Sequence, residues 1–490
     1  MRVIGALPTI RSNLEQHVKL PLDGLHPNKL AEVFTPLTWR YHLVKHIASR
    51  KALALASVLG LAASIITVTT SAAATDKTWA CTPSKSKAVT VRLIEYFAGP
   101  ARTPMLNAFA RQYEASHPGV KIEIISPSQA DSPAKITQLL QAGAVDIVEP
   151  GGAILGQAMS AKQLADIYPY ISKAKSWKGL TPYSQFQAQS FGKKTAYVIP
   201  NGYYTKAAFV RVAPFKDAGI AVPKTWTDIL AAKPSQKDNS YVYAMRGARA
   251  SFTQAIFAIR AYNAPDLNSG GYFNKSTGTS MFNNAKSKTA LDLIMKIWAE
   301  VSPPASVSWG YPEMVQGFID GTANYLIQDN EVIQMVDEKY APYDSGKWIM
   351  AQMPKGPGGY SAQDVSGTGW SVTKASKCKN VAAGFIDFLS SDPQASSFAR
   401  AYGVGPFTTG AAKDPFFKTG AWKIYDTIGK DPKELKLDGT DVNQACYGQF
   451  FTDADKDMQE MFAGTLSTAD ALKKWAAYWD SSACINTSKK

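Results

Sequence analysis

The sequence predicts an α/β protein built from two lobes. Three observations lead to this prediction. The chain is 490 residues long, the part that follows residue 88 alternates strand and helix patterns, and a strand ends abruptly at Pro200 before a second set of elements begins. One hydrophobic core seldom organises more than about 250–300 residues, so we expect two domains.

The segment after residue 88 is predicted to run strand, helix, strand, helix, strand. Val89 to Tyr96 is an apolar-rich strand, and apolar residues at helical spacing follow over 105–113. Val120 to Ile124 alternates as the next strand, and a helix over 136–140 leads to a strand over 145–148. This order predicts a parallel sheet, whose ligands bind beyond the carboxyl ends of the strands.

The stretch from Phe191 to Trp226 predicts the passage of the chain from one lobe to the other. Lys194 to Ile199 has strand character, and Pro200 stops the strand because it lacks a backbone donor. Asn201-Gly202 tolerate positive φ, and Tyr203-Tyr204 place two aromatic side chains at this bend. Such a crossing is expected to pass the mouth of a cleft.

The second lobe is predicted to begin with a strand and a helix. Tyr241 to Met245 has strand character and is closed by the polar segment Arg246 to Arg249. A helix is expected over 252–259. Further on, Ser308 to Tyr311 places two aromatic residues around a glycine, which is typical of a loop.

Residues 1–74 are interpreted as a leader. Ala52 to Val68 is an apolar run about as long as a signal-peptide h-region, and the small residues Ser71 to Ala74 follow it. We expect cleavage near Ala74 and a periplasmic or secreted mature protein; an uncleaved anchor helix is the alternative. A non-AUG start near Val44 would leave an n-region of ordinary length, so we hypothesise that residues before about 44 are not translated.

The distribution of charge and the number of histidines argue against some classes of function. The chain after residue 74 holds 45 basic and 36 acidic residues, a net charge of +9, without a run of five like charges. Binding to nucleic acid or to a membrane surface is therefore not expected. His117 is the one histidine of that part, so a histidine-rich metal site is excluded, and we expect no metal and no cofactor. Catalysis by carboxylates alone stays open.

The chain contains four cysteines, and all of them follow the leader. An even number in an oxidising compartment predicts two disulfides, for which three pairings exist. Cys81 as a lipid-anchored residue is the alternative, but no leucine lies three places before it. The cysteines are Cys81, Cys378, Cys446 and Cys484.

The crossing segment resembles that of extracellular solute-binding proteins of family 1, the maltodextrin-binding type used by ABC importers. The matching residues are Gly192, Lys193, Pro200, Phe215, Ala218, Gly219, Ile220, Pro223, Thr225 and Trp226. Later segments that resemble the family are Phe318 to Tyr325, Gly367 to Thr373, Asn380 to Leu389 and Tyr402 to Pro406. The resemblance extends over roughly residues 88–480.

This resemblance implies the type II periplasmic-binding-protein fold, in which two α/β lobes are joined by a multi-strand hinge. The implied lobes are 85–199 with 323–388 and 200–322 with 389–485. The chain would then cross between lobes near Pro200, Ala323 and Phe388. The same likeness pairs Cys81 with Cys378 and Cys446 with Cys484.

The resemblance also implies a non-enzymatic receptor that closes over a small polar solute by hinge motion. The expected solute is a sugar or oligosaccharide, the expected partners are the membrane subunits of an ABC importer, and we expect a monomer. Aromatic and polar residues at the predicted cleft are candidate ligand contacts, together with one glycine of a strand. They are Tyr96, Phe97, Glu149, Asn201, Tyr203, Arg249, Trp309, Tyr311, Asp329, Asn330, Gly369 and Trp370.

Two other functions stay open from the sequence. A secreted glycosidase would use two carboxylates, for which Glu149 and Asp329 are the candidates. A ligand-binding partner of a membrane sensor would share the fold and differ only in its membrane partner.

Overall fold

The computed structural model describes residues 81–96, 98–128, 131–232, 240–437, 441, 444–481 and 484, and the backbone alone at 364, 366 and 368. The predicted leader over 1–74 and the candidate Phe97 therefore lie outside the described residues. Within the described ranges, no helix combines the length and the apolar character needed to cross a membrane.

Strands and helices alternate along the described chain. The strands are β1 (Val89–Ile94), β2 (Val120–Ile125), β3 (Ile147–Val148), β4 (Ile199–Tyr204), β5 (Lys206–Arg211), β6 (Tyr241–Tyr243), β7 (Ala323–Asp329), β8 (Trp348–Ala351), β9 (Ser361–Asp364), β10 (Ser366–Val372) and β11 (Glu434–Leu437). The helices are α1 (Arg102–Ser116), α2 (Ser132–Ala142), α3 (Gly152–Ser160), α4 (Tyr168–Ile171), α5 (Lys175–Gly179), α6 (Pro182–Ala188), α7 (Val212–Asp217), α8 (Trp226–Ala231), α9 (Phe252–Asn263), α10 (Ala285–Val301), α11 (Tyr311–Ile319), α12 (Val332–Lys339), α13 (Lys379–Leu389), α14 (Asp392–Tyr402), α15 (Lys423–Lys430), α16 (Ala445–Phe462) and α17 (Thr468–Trp479).

The first sheet has the strand order β2-β1-β3-β10-β4. β1 is parallel to β2 and β3, as the strand and helix order predicted, whereas β10 is antiparallel to both β3 and β4. Val148 pairs with Ser371, and Tyr204 pairs with Ser366. The carboxyl ends of β1 and β3 therefore lie at the edge where β4 ends and β10 begins.

The second sheet has the strand order β6-β7-β5-β8. β6 and β7 are parallel, and β5 is antiparallel to β7 with Lys206 opposite Asp329. The carboxyl ends of β6 and β7 therefore lie beside the start of β5. Because only Thr205 separates β4 from β5, the carboxyl edges of the two sheets meet at this residue.

The chain returns to the first sheet through a short parallel pair. β9 pairs with β11, and Val365 alone separates β9 from β10 of the first sheet. A third passage follows α14, since Phe407 and Ala411 belong to the core of the first lobe and Trp422 to a core of the second. Three segments therefore join the lobes.

The positions of these passages differ from the predicted boundaries. β7 and β8 both hydrogen-bond to β5, so residues 323–351 belong with the second sheet rather than with the first lobe. The segment 389–411 packs in the core of the first lobe instead of the second. The passages lie at Thr205, at Val365 and between Ala411 and Trp422. Periodicity identifies a strand but does not say which sheet it joins, and this explains the difference.

Each lobe has its own apolar core. In the first lobe one core includes Leu93, Ile147 and Phe385, and another on the opposite side of the sheet includes Ile94 and Val148. In the second lobe one core includes Trp226 and Trp475, and another fills the opposite side of the sheet. Burying one large apolar side chain contributes about 1.5–3 kcal/mol. Because each of these cores lies within one lobe, each core stabilises its own lobe.

Local sequence chemistry sets where elements begin and end. Thr225 opens α8 with a capping box, because its hydroxyl accepts from the amide of Asp228 while the Asp228 carboxylate accepts from the amide of Thr225. Gly143 ends α2 in the left-handed region. Gly119 also has positive φ, and a side chain there would collide with the backbone of Ser84.

The structure confirms two disulfides with the pairing that the resemblance implied. Cys81 is joined to Cys378 with Cα atoms 5.2 Å apart, and Cys446 is joined to Cys484 with Cα atoms 5.6 Å apart. The first closes a segment with a sequence separation of 297 residues, and the second closes one of 38. Each bridge lies within one lobe.

Candidate functional site

The candidate site is the cleft where the carboxyl edges of the two sheets meet. From the first sheet, Tyr96 follows β1 and Glu149 follows β3. From the second sheet, Arg246 follows β6 and Glu331 follows β7, while Tyr311 begins α11. Four of these positions lie within three residues after a strand and the fifth begins a helix, which is where α/β sheets bind ligands.

Glu149 forms a buried floor beneath the cleft. Its Oε2 accepts hydrogen bonds from the backbone amide of Tyr96 at 2.8 Å and from the guanidinium of Arg102 at 2.7 Å. Its Oε1 accepts from Nδ2 of Asn201 at 2.6 Å. Glu149 and Asn201 were predicted as ligand contacts, but both are buried and bonded to protein groups. Their interactions instead tie β1, β3 and β4 together under the cleft.

Arg102 connects Glu149 beneath the cleft with Glu95 and with the ring of Tyr402. Its Nε lies 3.3 Å from a carboxylate oxygen of Glu95, and its guanidinium lies 3.8 Å from the centre of the Tyr402 ring. Burial raises the pKa of Glu95, although hydrogen bonds from Ser126 and Thr103 and the charge of Arg102 oppose this. The buried arginine therefore lies between two buried carboxylates and an aromatic ring.

The accessible layer of the cleft is rich in tyrosine. Tyr96, Tyr204 and Tyr311 are half-buried, and burial raises the pKa of each phenol. The charge of Arg249 from the second lobe partly opposes the shift at Tyr96. Tyrosine rings of both lobes therefore line one space, together with guanidinium and carboxylate groups.

Glu331 is the acidic group of this layer. Burial raises its pKa to about 7, the nearby charge of Asp329 adds to the rise, and a hydrogen bond with Tyr311 opposes it. Near neutral pH, Glu331 can therefore both donate and accept hydrogen bonds. A sugar hydroxyl has the same dual capacity.

We expect Glu331→Gln to remove a pH dependence of stability. Because Glu331 takes up a proton more readily in the folded chain than in the unfolded one, the wild type loses stability as pH rises from about 4.5 through about 7. The expected loss relative to Glu331→Gln is on the order of 1–3 kcal/mol. Urea unfolding at pH 5 and pH 8 measures it. Glu338→Gln, which changes an exposed carboxylate of α12, is the control and should keep the wild-type pH dependence.

Two arginines line the side of the cleft that belongs to the second lobe. Arg246 is half-buried, its guanidinium lies 5.9 Å from the centre of the Tyr311 ring, and burial lowers its pKa while Asp455 opposes this. Arg249 is exposed and lines a cavity of about 600 Å³ between α3 and α16. These two groups can donate several hydrogen bonds to a polar solute.

A second cavity adjoins the cleft beside α1, α12 and α14. It has a volume of about 670 Å³, and Met105, Ile333 and Gly403 lie in its wall. These residues follow Arg102, Glu331 and Tyr402 by one to three positions, so this cavity lies next to the cleft. Its volume is larger than one sugar ring requires.

Asn330 and Asp329, which were predicted to contact the ligand, lie at the hinge and bond to protein groups there. Asn330 is buried; its Nδ2 donates to the carbonyl of Tyr203 at 3.0 Å, and its Oδ1 accepts from the amide of Thr205 at 3.3 Å. Asp329 forms an ion pair with Lys206. Both side chains hold the end of β7 against the first passage between the lobes.

Two further predicted ligand contacts, Trp370 and Gly369, are closely packed against other protein groups. Trp370 is 0% exposed, with its ring 5.1 Å from Phe398 and 6.3 Å from Phe407, so it has no free face and is corrected to a core residue. A side chain at Gly369 would collide with the carbonyl of Ile199.

Tyr203 and Trp309 also contact protein groups. The hydroxyl of Tyr203 is hydrogen-bonded to Thr181 at 2.9 Å and to Ser184 within the first lobe. The ring of Trp309 packs on Gly317 of α11. Within the described residues, one predicted contact is exposed, Arg249, and several are half-buried: Tyr96, Tyr203, Trp309, Tyr311 and Asp329.

Five residues of this region were not among the predicted contacts: Arg102, Tyr204, Arg246, Glu331 and Tyr402. Three of them carried a usable signal. Tyr204 directly follows the candidate Tyr203, Glu331 follows the predicted pair Asp329 and Asn330, and Arg246 follows a predicted strand. Tyr402 lies at the end of a helix, and only the packing of α14 brings it to Arg102. No pattern in the sequence indicates that contact.

Comparison with known proteins identifies relatives of this chain. A family of bacterial extracellular solute-binding proteins matches residues 108–433. A probable amino-acid ABC transporter periplasmic-binding protein, y4oP of Sinorhizobium fredii, is 26% identical over 207 residues. That match covers 41% of this chain and 45% of the relative, so the chain spans less than half the length of this curated relative.

Solved structures of similar proteins share the fold. MalE3 of T. maritima, bound to maltose, has a TM-score of 0.68 and 18% identity over 79% of this chain and 98% of its own. The GacH receptor of Streptomyces glaucescens, solved unliganded and with acarbose, has a TM-score of 0.66 and 17% identity over 80% of this chain and 98% of its own. These likenesses confirm the two-lobed type II periplasmic-binding-protein fold. Since the family match covers more than half of the chain, the protein belongs to the bacterial extracellular solute-binding proteins.

Proposed function

We propose that this protein binds a sugar or oligosaccharide between its lobes and delivers it to the membrane subunits of an ABC importer. The observation that carries the proposal is the joint lining of the cleft by tyrosine rings and by charged hydrogen-bonding groups. Sugars present apolar faces that pack on aromatic rings, and hydroxyl groups that pair with carboxylates and guanidinium groups.

The two lobes supply different parts of the proposed contact set. Tyr96 lies on the first lobe, whereas Arg246, Tyr311 and Glu331 lie on the second. A solute can contact the residues of both lobes at once only when the lobes are close together. Its higher affinity for that arrangement would drive closure about the passages at Thr205 and Val365.

The chemistry of the candidate carboxylates favours binding over catalysis. Glu149, one of the two acids considered for a glycosidase, is fully buried and accepts hydrogen bonds on both oxygens. Asp329, the other, is ion-paired with Lys206. Neither is arranged to exchange a proton with a substrate. We therefore propose a non-enzymatic receptor.

The family supports the proposed location and partners. Extracellular solute-binding proteins act outside the cytoplasm, and we propose that this chain reaches its site after cleavage near Ala74. Delivery to an importer remains a proposal, as does a monomeric state. A role beside a membrane sensor would use the same cleft.

A thermal-shift screen tests the proposed solute class. We expect one or more mono- or oligosaccharides to raise the melting temperature, since a ligand at 100 times its dissociation constant adds about 2.7 kcal/mol of stability. Amino acids and polyamines belong in the same screen. A shift with an amino acid or an amine, and none with any sugar, would refute the sugar assignment while keeping the receptor function.

A further inference from the structure

A small basic cavity lies in the first lobe, away from the cleft. Its volume is about 400 Å³, and its wall contains three lysines together with Asp166 and Tyr197. We call the three residues Lys162, Lys374 and Lys379 the lysine pocket. Neither the proposed transport function nor the fold requires this concentration of like charge.

The lysine pocket lies at the opposite edge of the first sheet from the cleft. Lys374 follows Thr373 after the carboxyl end of β10, which is antiparallel to β3. Val372 pairs with Ile147 at the start of β3, whereas Glu149 follows the end of that strand. Lys374 lies three residues beyond Ser371, the partner of Val148, which is roughly 10 Å along the strand. The wall of the lysine pocket shares no residue with those assigned to the cleft.

The charge of the lysine pocket is strongly positive. Three lysines and one aspartate line the cavity, and Oδ1 of Asp166 already accepts from the amides of Tyr168 at 2.9 Å and Ala196 at 2.8 Å. Lys379 is only 2% exposed, and its Nζ donates to the carbonyl of Ser376 at 2.8 Å.

The backbone holds the lysine pocket in place before any ligand arrives. The amide of Lys374 donates to the carbonyl of Gln163 at 2.7 Å, and the amide of Ala165 donates to the carbonyl of Val372 at 2.9 Å. These bonds fix the turn that carries Lys162 beside the end of β10. The backbone positions of Lys162 and Lys374 are therefore fixed relative to each other, and both side chains are exposed.

We propose that the lysine pocket binds the phosphate group of a phosphate ester. Lysine is a common phosphate ligand, and three lysines in the wall of one cavity suit a group that carries more than one negative charge near neutral pH. The cavity is wider than an inorganic phosphate, and the ring of Tyr197 offers a surface for the organic part of the ester. The ester is either soluble or the headgroup of a phospholipid.

Calorimetric titration with glycerol 3-phosphate at constant ionic strength tests the proposal. We expect the wild type to bind it and Lys162→Gln/Lys374→Gln to bind it at least about tenfold more weakly, because two charge-assisted contacts are lost. The matched control is Lys216→Gln/Lys347→Gln, which removes the same charge at exposed positions of the second lobe and should bind like the wild type. All three proteins should keep equal affinity for the cleft solute.

Vesicle flotation identifies the source of the phosphate. If vesicles of phosphatidylglycerol retain the wild type and the control pair but not the lysine-pocket pair, a lipid headgroup is the ligand. If only glycerol 3-phosphate shows that dependence, the ligand is soluble. The proposal is overturned if the wild type binds neither probe, or if both lysine pairs weaken binding equally, since the effect would then come from net charge alone.

Discussion

Replacement of Arg102 by methionine should lower the free energy of unfolding by about 3–5 kcal/mol. Methionine keeps most of the length of the side chain but leaves Glu95 and Glu149 buried without their cation. The contact with the Tyr402 ring is lost as well. Urea unfolding of wild type and Arg102→Met at pH 7 measures the difference.

An exposed ion pair provides the matched control for this variant. Arg92 lies 3.3 Å from Glu123, and about half of each side chain is exposed to water. Exposed pairs contribute about 0–1 kcal/mol, so Arg92→Met should change stability little. If Arg92→Met and Arg102→Met lowered the free energy of unfolding equally, the buried ion pairs of Arg102 would stabilise the fold no more than an exposed pair, which would contradict this account. Adding Glu149→Gln to Arg102→Met should recover part of the loss, because it removes one of the uncompensated charges.

Removal of the Cys81–Cys378 disulfide should be comparably costly. In the loop-entropy description a cross-link stabilises more when it closes a longer segment, and this one has a sequence separation of 297 residues. The same description gives about 5–6 kcal/mol for that separation. We expect the double alanine variant to unfold at a much lower urea concentration than the oxidised wild type.

The second disulfide is the internal comparison. Cys446–Cys484 closes a segment with a separation of 38 residues, for which the loop-entropy description gives about 4 kcal/mol. The variant without Cys81–Cys378 should therefore be the less stable of the two double alanine variants. The reverse order would mean that strain or residual structure, rather than loop length, decides the contribution of these bridges.

Much of the fold followed from local sequence patterns. The strand and helix order of the first lobe and the capping residue Thr225 depend on nearby residues, and the structure contains both features. The predicted end of a strand at Pro200 was wrong, because β4 begins at Ile199 and runs through Pro200 to Tyr204. Pro200 pairs beside the register shift between Thr368 and Gly369, where the missing backbone donor is tolerated. The assignment of β7 to a sheet did not follow, because strand pairing depends on contacts between residues far apart in the chain. The predicted lobe boundaries moved for that reason.

The candidate site was predicted less completely than the fold. Sequence position indicates which residues lie near a strand end, but it does not indicate which of their polar atoms are already bonded within the protein. Glu149 and Asn330 lie at the right edge, yet both are bonded to groups at the floor or the hinge. Trp370 lies in a strand of the first sheet, and its ring points into the core. Such distinctions require the packing of all the elements.

Calorimetric titration of the sugar identified by the screen tests the central claim most directly. If the solute binds between the lobes, Tyr96→Ala on the first lobe and Tyr311→Ala on the second should each weaken binding by about tenfold or more, since an aromatic contact contributes about 1.5 kcal/mol. Tyr170→Ala, which removes a tyrosine that is 40% exposed on the surface of the first lobe, is the control. Wild-type affinity in both cleft variants, or a loss in only one of them, would contradict a solute held by both lobes.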